Sequence, residues 1–566
     1  MSHLIEKHSK SHQSRHRAVG WVRFALALVL AMGALMLSPG AAFAQSDGPC
    51  VRPGAGGPAT PAPDLYSANG ELTVALNYET GMDEQNRTLF CFVTPTGQEA
   101  PTLHVNPGDT LIVTLTNMVK FVKIGDIGSS EVISNSTNIC GAATMNSASA
   151  NIHFHGTNTA PTCGSDEVIH TLVNSGQTFQ YTLQIPADEP PGLYWYHTHV
   201  HGIASATVQG GATGLIEVEG IANIEPAVSG LPERFLSVRD QPVTAPRKPG
   251  QTVPYWDLSL NYVPVSYPAY TPAIIQMQQG SKELWRVANS SSNTIVDLQL
   301  QYDGKLQPVD VVALDGVPIG SQDGSGLGTT LPKKDIYIPP AGRAEFIVTA
   351  PGAKVKTATL STLGIDTGPK GDVDPPRPLA TIETTTDAPD LPLVRKRNAR
   401  PHQQRFKDLA AVTPTALRSL YLTEKVIKGP PPVDNHGLPP GAYFFITVEG
   451  QKPRPFSADD PPSIVTTQGA VEDWTIENRT GEVHAFHIHQ IHFLLMAVNG
   501  KRVPLSQQQY YDTYQVPYWT GTGPYPSITV RMDFRGPVVG DFVYHCHILD
   551  HEDGGMMAIV RVEPQS

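Results

Sequence analysis

Three stretches of the chain repeat one plan: HVNPGDTLIVTLTN at 104–117, IQMQQGSKELWRVAN at 275–289 and IVTTQGAVEDWTIEN at 464–478. Each sets a glycine nine residues before an asparagine, with an alternating apolar run between: Gly108 and Asn117, Gly280 and Asn289, Gly469 and Asn478. Alternation of this kind marks a half-buried β-strand, and copies spaced roughly a domain apart mark three β-domains of one ancestry. Proline and glycine are abundant, and short Val/Ile/Thr/Leu runs alternate with turn residues throughout, so the expected class is all-β. The expected division is 1–44, 45–225, 226–390 and 391–566, with one short helical stretch around Arg405 to Leu420.

Strand-closing pieces recur as well. GLYWYHTH (192–199) matches GDFVYHCH (540–547), and GGATGLIEVEG (210–220) resembles GGMMAIVRVE (554–563). In the middle third, PAGRAEFIVTA (340–350) takes the corresponding place without a histidine. After Asn478 the chain reads HAFHIHQIHF, while after Asn289 it reads NTIVDLQL, with Asp297 and Gln299 in place of histidines. Solvated histidines would scatter over all three repeats. These gather in the first and third, which predicts a metal site between those two domains with the middle one as a spacer.

The densest cluster is HCHILDHEDGGMM (545–557). On a strand, successive side chains face opposite ways, so His545 and His547 point to one side and Cys546 to the other. A thiolate aimed at one metal and flanked by imidazoles aimed at a second joins two centres through a few covalent bonds. His551 and Met556 downstream complete the His, Cys and axial Met set of a blue-copper site, given one more histidine. Three further paired-histidine segments stand out: HFHG (His153, His155), HTH (His197, His199) and HAFHIH (His484, His487, His489).

With these four segments in this order, the sequence resembles the multicopper oxidases, of laccase-like, three-domain bacterial type, over nearly the whole chain. The resemblance implies three cupredoxin-like Greek-key β-barrel or sandwich domains and four coppers per chain. His484, Cys546, His551 and Met556 would hold the type 1 copper. His153 and His487 would hold the type 2 copper, and His155, His197, His199, His489, His545 and His547 the type 3 pair. Two carboxylates match proton-handling positions of some members: Glu552, directly after a ligand, and Asp166, after HFHG. The family often has proline where Ala485 stands and glycine where Gln490 stands; neither residue is a ligand. His201 and His492 sit beside ligand motifs but off the family spacing and are read as residues that support the ligands or pack against them, while His104, His170, His402 and His436 show no partner pattern.

The implied reaction couples one-electron oxidation of phenolic or similar donors to reduction of O2 to water. The rival donor is a metal ion, Cu(I), Fe(II) or Mn(II), which requires carboxylates or methionines near the type 1 site; a non-enzymatic copper-binding relative is the reading from another class. A copper nitrite reductase has no type 3 pair, and no methionine-rich insertion supports a specialised cuprous oxidase. Stretches such as Asp434 to Tyr443 and Tyr511 to Tyr525 are candidates to line a donor pocket.

Residues 1–44 read as an export signal, with Lys7, Lys10, Arg15, Arg17 and Arg23 before FALALVLAMGALML and an A-x-A site at Ala42 to Ala44. Its removal takes the formal charge from −12 to −16, which argues against nucleic acid or an anionic membrane as partner. No later segment is long and apolar enough to insert stably in a bilayer. The expected location is the periplasm or the exterior. There the four remaining cysteines form two disulfides, and proximity favours Cys50–Cys91 and Cys140–Cys163 among three possible pairings.

Overall fold

The structure, a computed structural model, describes residues 48–565 apart from 121, 125–126, 129–137, 142–143, 247–251, 324, 397–403 and 429–440. The export segment, His402, His436 and most of the 434–443 stretch lie outside the described residues. Strands dominate and pack as three two-sheet sandwiches, each around its own apolar core.

In the first sandwich, a sheet of Thr88–Val93, Glu71–Met82, Thr110–Asn117 and Thr178–Gln184 faces one of Asp64–Tyr66, Thr102–Val105, Thr213–Val218, Gly192–His197 and His153–His155. The third repeats this plan: Ala416–Ile427, Val471–Asn478 and Ser527–Asp533 lie in one sheet, Ile464–Thr467, Met557–Glu563, Gly540–Cys546 and His484–Ile488 in the other. The middle sandwich sets Glu233–Pro242, Lys282–Asn289 and Arg343–Thr349 against Ala273–Gln278, Arg377–Thr385, Ala358–Thr362 and Val296–Tyr302.

The repeat is explained by what its two fixed residues do. Gly108, Gly280 and Gly469 all have positive φ, at 90°, 73° and 95°, where a side chain would be strained. Each asparagine, nine residues on, uses its buried amide to tie two chain segments together. Asn117 Nδ2 donates to the carbonyls of Ala148 and Val173, Asn289 Nδ2 to those of Thr294 and Ile338, and Asn478 Nδ2 to those of Glu482 and Val516. A buried amide is tolerated only when satisfied in this way, so the position is the same in every copy.

Two expectations are corrected. PAGRAEFIVTA forms Arg343–Thr349, which pairs antiparallel with the repeat strand just as Thr178–Gln184 and Ser527–Asp533 do. The true counterpart of the histidine strands Gly192–His197 and Gly540–Cys546 is Ala358–Thr362, which pairs on one side with Val296–Tyr302 and on the other with Arg377–Thr385. Apolar alternation is common to both strands, and nothing but histidine distinguishes them in sequence. The stretch Arg405 to Leu420 holds only a 3-10 turn at Leu409–Ala411, followed by the strand Ala416–Ile427. Parallel pairing with Val471–Asn478 buries Leu420 and Leu422 there, and that packing overrides the helical preference of ALRSL. Disulfides join Cys50 to Cys91 and Cys140 to Cys163, as proximity suggested, and Cys546 is free and buried.

Candidate metal centre

The strand Gly540–Cys546 turns through a short helix, Leu549–Asp553, and returns antiparallel as Met557–Glu563. This hairpin folds His551 and Met556 back onto Cys546, whose N–H donates to the carbonyl of Met556 at 3.1 Å. On the other side, His484–Ile488 pairs Phe486 with Cys546 and brings His484 to the sulfur. Cys546 Sγ lies 3.5 Å from His484 Nδ1 and 3.7 Å from His551 Nδ1, and those two nitrogens are 3.0 Å apart. Thr480 Oγ1, 2.8 Å from His484 Nε2, can donate its own proton to Asn478 Oδ1. Nε2 of His484 then carries the ring proton, and the Nδ1 lone pair faces the sulfur. Met556 is fully buried beside this group, and Phe444 stacks on His551 at 4.2 Å.

Eight more histidines converge behind Cys546. His199 Nε2 and His489 Nε2 each lie 3.2 Å from His545 Nε2. His153 Nε2, His155 Nδ1, His197 Nε2, His487 Nε2 and both nitrogens of His547 are buried without a hydrogen-bond partner among the described residues. The opposite nitrogens are held. His153 Nδ1 meets Asp166 Oδ1 at 3.0 Å, His155 Nε2 meets Asp512 Oδ1 at 3.1 Å, and His487 Nδ1 meets the Asp512 carbonyl at 2.8 Å. His197 Nδ1 and His545 Nδ1 meet the carbonyls of Thr198 and Cys546 at 2.8 and 2.9 Å. Burial, reinforced by the neighbouring imidazoles, lowers the pKa of every one of these rings, His545 to about 3. Neutral rings present lone pairs, and lone pairs buried in such number cost about 1–3 kcal/mol each unless something accepts them.

All twelve expected ligands are thus brought into two adjoining groups, with Cys546 in one and its chain neighbours His545 and His547 in the other. The two expected carboxylates are there too. Asp166, pushed up to about 7 by burial, accepts from the Phe154 N–H as well as facing His153. Gln490 stands at φ 57°, which suits the glycine frequent at that position, and its Nε2 donates to Asp166 Oδ2 at 2.7 Å. The amide bond thereby compensates an unfavourable backbone conformation. Glu552 is fully buried, its Oε1 3.0 Å from His201 Nδ1. Burial raises this carboxyl, but His201, His199 and His545 outweigh burial and hold it below the usual range. His492 packs outside the cluster against the Asp315 carbonyl, and His170 is exposed beside Glu167.

One buried group escaped the sequence. Asp512 orients His155 and is itself clamped by Arg343 of the middle domain, at 2.8 and 2.6 Å, while Asp315 accepts the N–H groups of Asp512 and Thr513. The spacer domain therefore reaches the cluster through the Arg343 guanidinium and the Asp315 carboxylate. Asp512 stands alone in YYDTYQVP, and no spacing in the sequence connects it to His155 or Arg343.

Sequence models of the multicopper oxidase family match residues 137–221 and 434–566, the two regions that carry these histidines. The chain belongs to the multicopper oxidase family. A multicopper oxidase of Staphylococcus aureus is 31% identical over 138 residues, covering 23% of this chain and 28% of that protein. A laccase of Bacillus stratosphericus is 26% identical over 295 residues, 49% of this chain and 50% of that one. The aligned stretches therefore span about a quarter to a half of these relatives. Similar solved structures include the McoA multicopper oxidase of Aquifex aeolicus (TM-score 0.61, 17% identity, 89% of this chain and 98% of that). A multicopper oxidase of Campylobacter jejuni described as a metallo-oxidase is also similar (TM-score 0.61, 20% identity, 90% and 96%). These establish the fold, three cupredoxin-like domains.

Copper is the metal of a multicopper oxidase, and the donors here fit it. A buried thiol pushed up to about 12 by desolvation loses its proton only when a bound cation takes its place on sulfur, and thiolate with imidazole is a soft set that suits copper in both oxidation states. The unpartnered imidazole nitrogens would supply the remaining donors.

Proposed function

We propose that the protein oxidises one-electron donors at a type 1 copper held by His484, Cys546, His551 and Met556, and reduces O2 to water at three further coppers. In this reading His153 and His487 hold the type 2 copper; His155, His197, His199, His489, His545 and His547 hold the type 3 pair. Bound copper supplies the redox chemistry, taking electrons singly and delivering four to O2. The observation that carries the reading is the sharing of one tripeptide between the two donor groups: Cys546 Sγ belongs to one, and the rings of His545 and His547 to the other. Cys546 thereby provides a covalent path between them, supplemented by the hydrogen bond from His545 Nδ1 to the Cys546 carbonyl.

Asp166 keeps His153 in one tautomer, and Asp512 does the same for His155. Glu552 and His201 form a carboxylate–imidazole pair that runs from the cluster to a partly exposed ring, suited to carry the protons that O2 reduction consumes. The 44 N-terminal residues direct export.

The donor meets the protein at His551. Its Nε2 lies 3.6 Å from Glu482 Oε2, and Glu482 is raised to about 9 by burial and by Glu424 and Asp372 beside it. Glu424 also pairs with Lys370. Carboxylates at this edge favour a metal-ion donor as a second reading beside phenols. Oxygen uptake by the copper-loaded protein with phenols, Fe(II), Mn(II) and Cu(I) tests both. If the donor is a metal ion, Glu482→Gln raises KM for it and leaves phenol oxidation unchanged; an equal effect on every donor contradicts the metal-ion reading, and no uptake with any donor contradicts the oxidase.

Met556 would supply a thioether donor to the type 1 copper. A thioether donates weakly and favours Cu(II), so Met556→Leu keeps the volume and is expected to raise the reduction potential with the blue colour retained. Met557→Leu, facing the opposite way, is expected to change it little. Redox titration of both variants checks the assignment.

A further inference from the structure

Outside the histidine cluster, the first and middle domains meet over a second buried group of ionisable side chains. Asp64–Tyr66 runs parallel to Thr102–Val105, and that strand runs parallel to Thr213–Val218, with Tyr66 beside His104 and His104 beside Glu217. Residues in register share a face with each other and with the residue two along. Asp64, Tyr66, His104, Glu217 and Glu219 therefore point together toward the middle domain, where Phe235 meets the His104 ring edge-on at 5.5 Å.

His104 is 1% exposed and Glu217 likewise. Nε2 of His104 lies 3.0 Å from Asp64 Oδ1 in a hydrogen bond. Nδ1 lies 3.1 Å from Glu217 Oε2 and 3.3 Å from Glu219 Oε1, yet neither contact is aligned as a hydrogen bond, and Nδ1 and Glu217 Oε2 are both buried and unsatisfied. Two donors about 2.1 Å from one divalent cation stand about 3.0–3.4 Å apart, which is the spacing seen. A carboxylate on one imidazole nitrogen with the other nitrogen turned to further donors is the arrangement that orients metal-binding histidines.

Charge points the same way. Arg286 pairs with Glu217 Oε1, Glu233 and Glu345, so five carboxylates counting Asp64 and Glu219 face one arginine and one histidine. Even with His104 protonated and Glu233 neutral, the group keeps an excess of negative charge, largely away from water. Burial and the neighbouring Glu217 raise Glu233 to about 8. Burial pulls His104 down, but Asp64, Glu217 and Glu219 push it up to about 11, a measure of the field a cation would meet.

We propose that His104 Nδ1, Glu217 and Glu219 bind a divalent cation of the Zn²⁺ or Mn²⁺ class at the junction of the first and middle domains, with Asp64 fixing the imidazole through Nε2. Imidazole with carboxylates suits these ions better than Ca²⁺ or Mg²⁺, which take oxygen alone.

The copper-loaded full-length protein, stripped of adventitious ions by dialysis, is titrated with Zn²⁺ and, separately, Mn²⁺, and the bound metals are counted. The expected result is one ion per chain beyond the copper, and an anomalous diffraction peak at the zinc edge beside His104 Nδ1. Glu219→Gln is expected to weaken that ion about tenfold or more while copper content and blue absorbance stay unchanged. Absence of the peak in the unmodified protein overturns the proposal and leaves His104 as an imidazolium pinned by its carboxylates. So does undiminished binding in Glu219→Gln. If that variant folds poorly, the peak in the unmodified protein decides.

Discussion

Cys546→Ser is expected to abolish both the blue colour and donor-driven turnover, while copper still loads at the eight-histidine group. The hydroxyl replaces the soft sulfur that lies 3.5 Å from His484 Nδ1 and 3.7 Å from His551 Nδ1, and with it the ligand that gives the intense absorption. The backbone between His545 and His547 is untouched, so the rings on the other face keep their positions. Absorption spectra, metal analysis and oxygen uptake on one preparation separate these effects. A blue, active Cys546→Ser protein would falsify the assignment of the thiolate.

Glu552→Gln is the second large effect. The change keeps the shape of a fully buried side chain and removes a group that can pass a proton between His201 and the cluster. The helix that carries it is anchored independently: Asp553 accepts the N–H groups of Gly202, Ala204 and Ser205, so the substitution leaves the local frame in place. General acid–base contributions of this kind are worth on the order of 10²–10⁴ in rate. Oxidation of the reduced enzyme by O2 is expected to slow by about that factor, and reduction of the type 1 copper by donor to stay nearly unchanged. Stopped-flow traces of the two half-reactions check this. If only the donor half-reaction is impaired, Glu552 acts on the donor side.

How much of this was legible in the sequence follows from how local each signal is. His545, Cys546, His547, His551 and Met556 fall within a dozen positions, and each remaining histidine pair sits inside a short motif, so the side chains that the fold gathers into two donor groups stand out in the sequence. The glycine–asparagine repeat located the three sandwiches because its two residues answer to turn geometry and buried hydrogen bonds that recur in every copy. Asp512 and Arg343 could not be read this way. Their contacts join positions 155, 343 and 512, and a single buried ion pair has no spacing to betray it. Gln490 was visible as a departure from the family, but its bond to Asp166 exists only in the fold. His104 shows no partner pattern in the sequence and His201 lies off the family spacing, because their partners are the carboxylates Asp64, Glu217 and Glu219 on neighbouring chain segments and Glu552, 351 positions away. The misaligned PAGRAEFIVTA shows the converse limit: alternation identifies a strand without saying which sheet it joins.

In the proposed reaction, electrons taken singly at the Cys546 site are delivered together to O2 at the histidine cluster. The ratio of donor oxidised to O2 consumed by the copper-loaded protein, with peroxide assayed in the same vessel, decides this. Four one-electron equivalents per O2 and no accumulated peroxide are expected. Two equivalents per O2 with stoichiometric peroxide, or donor oxidation without O2 uptake, would contradict it.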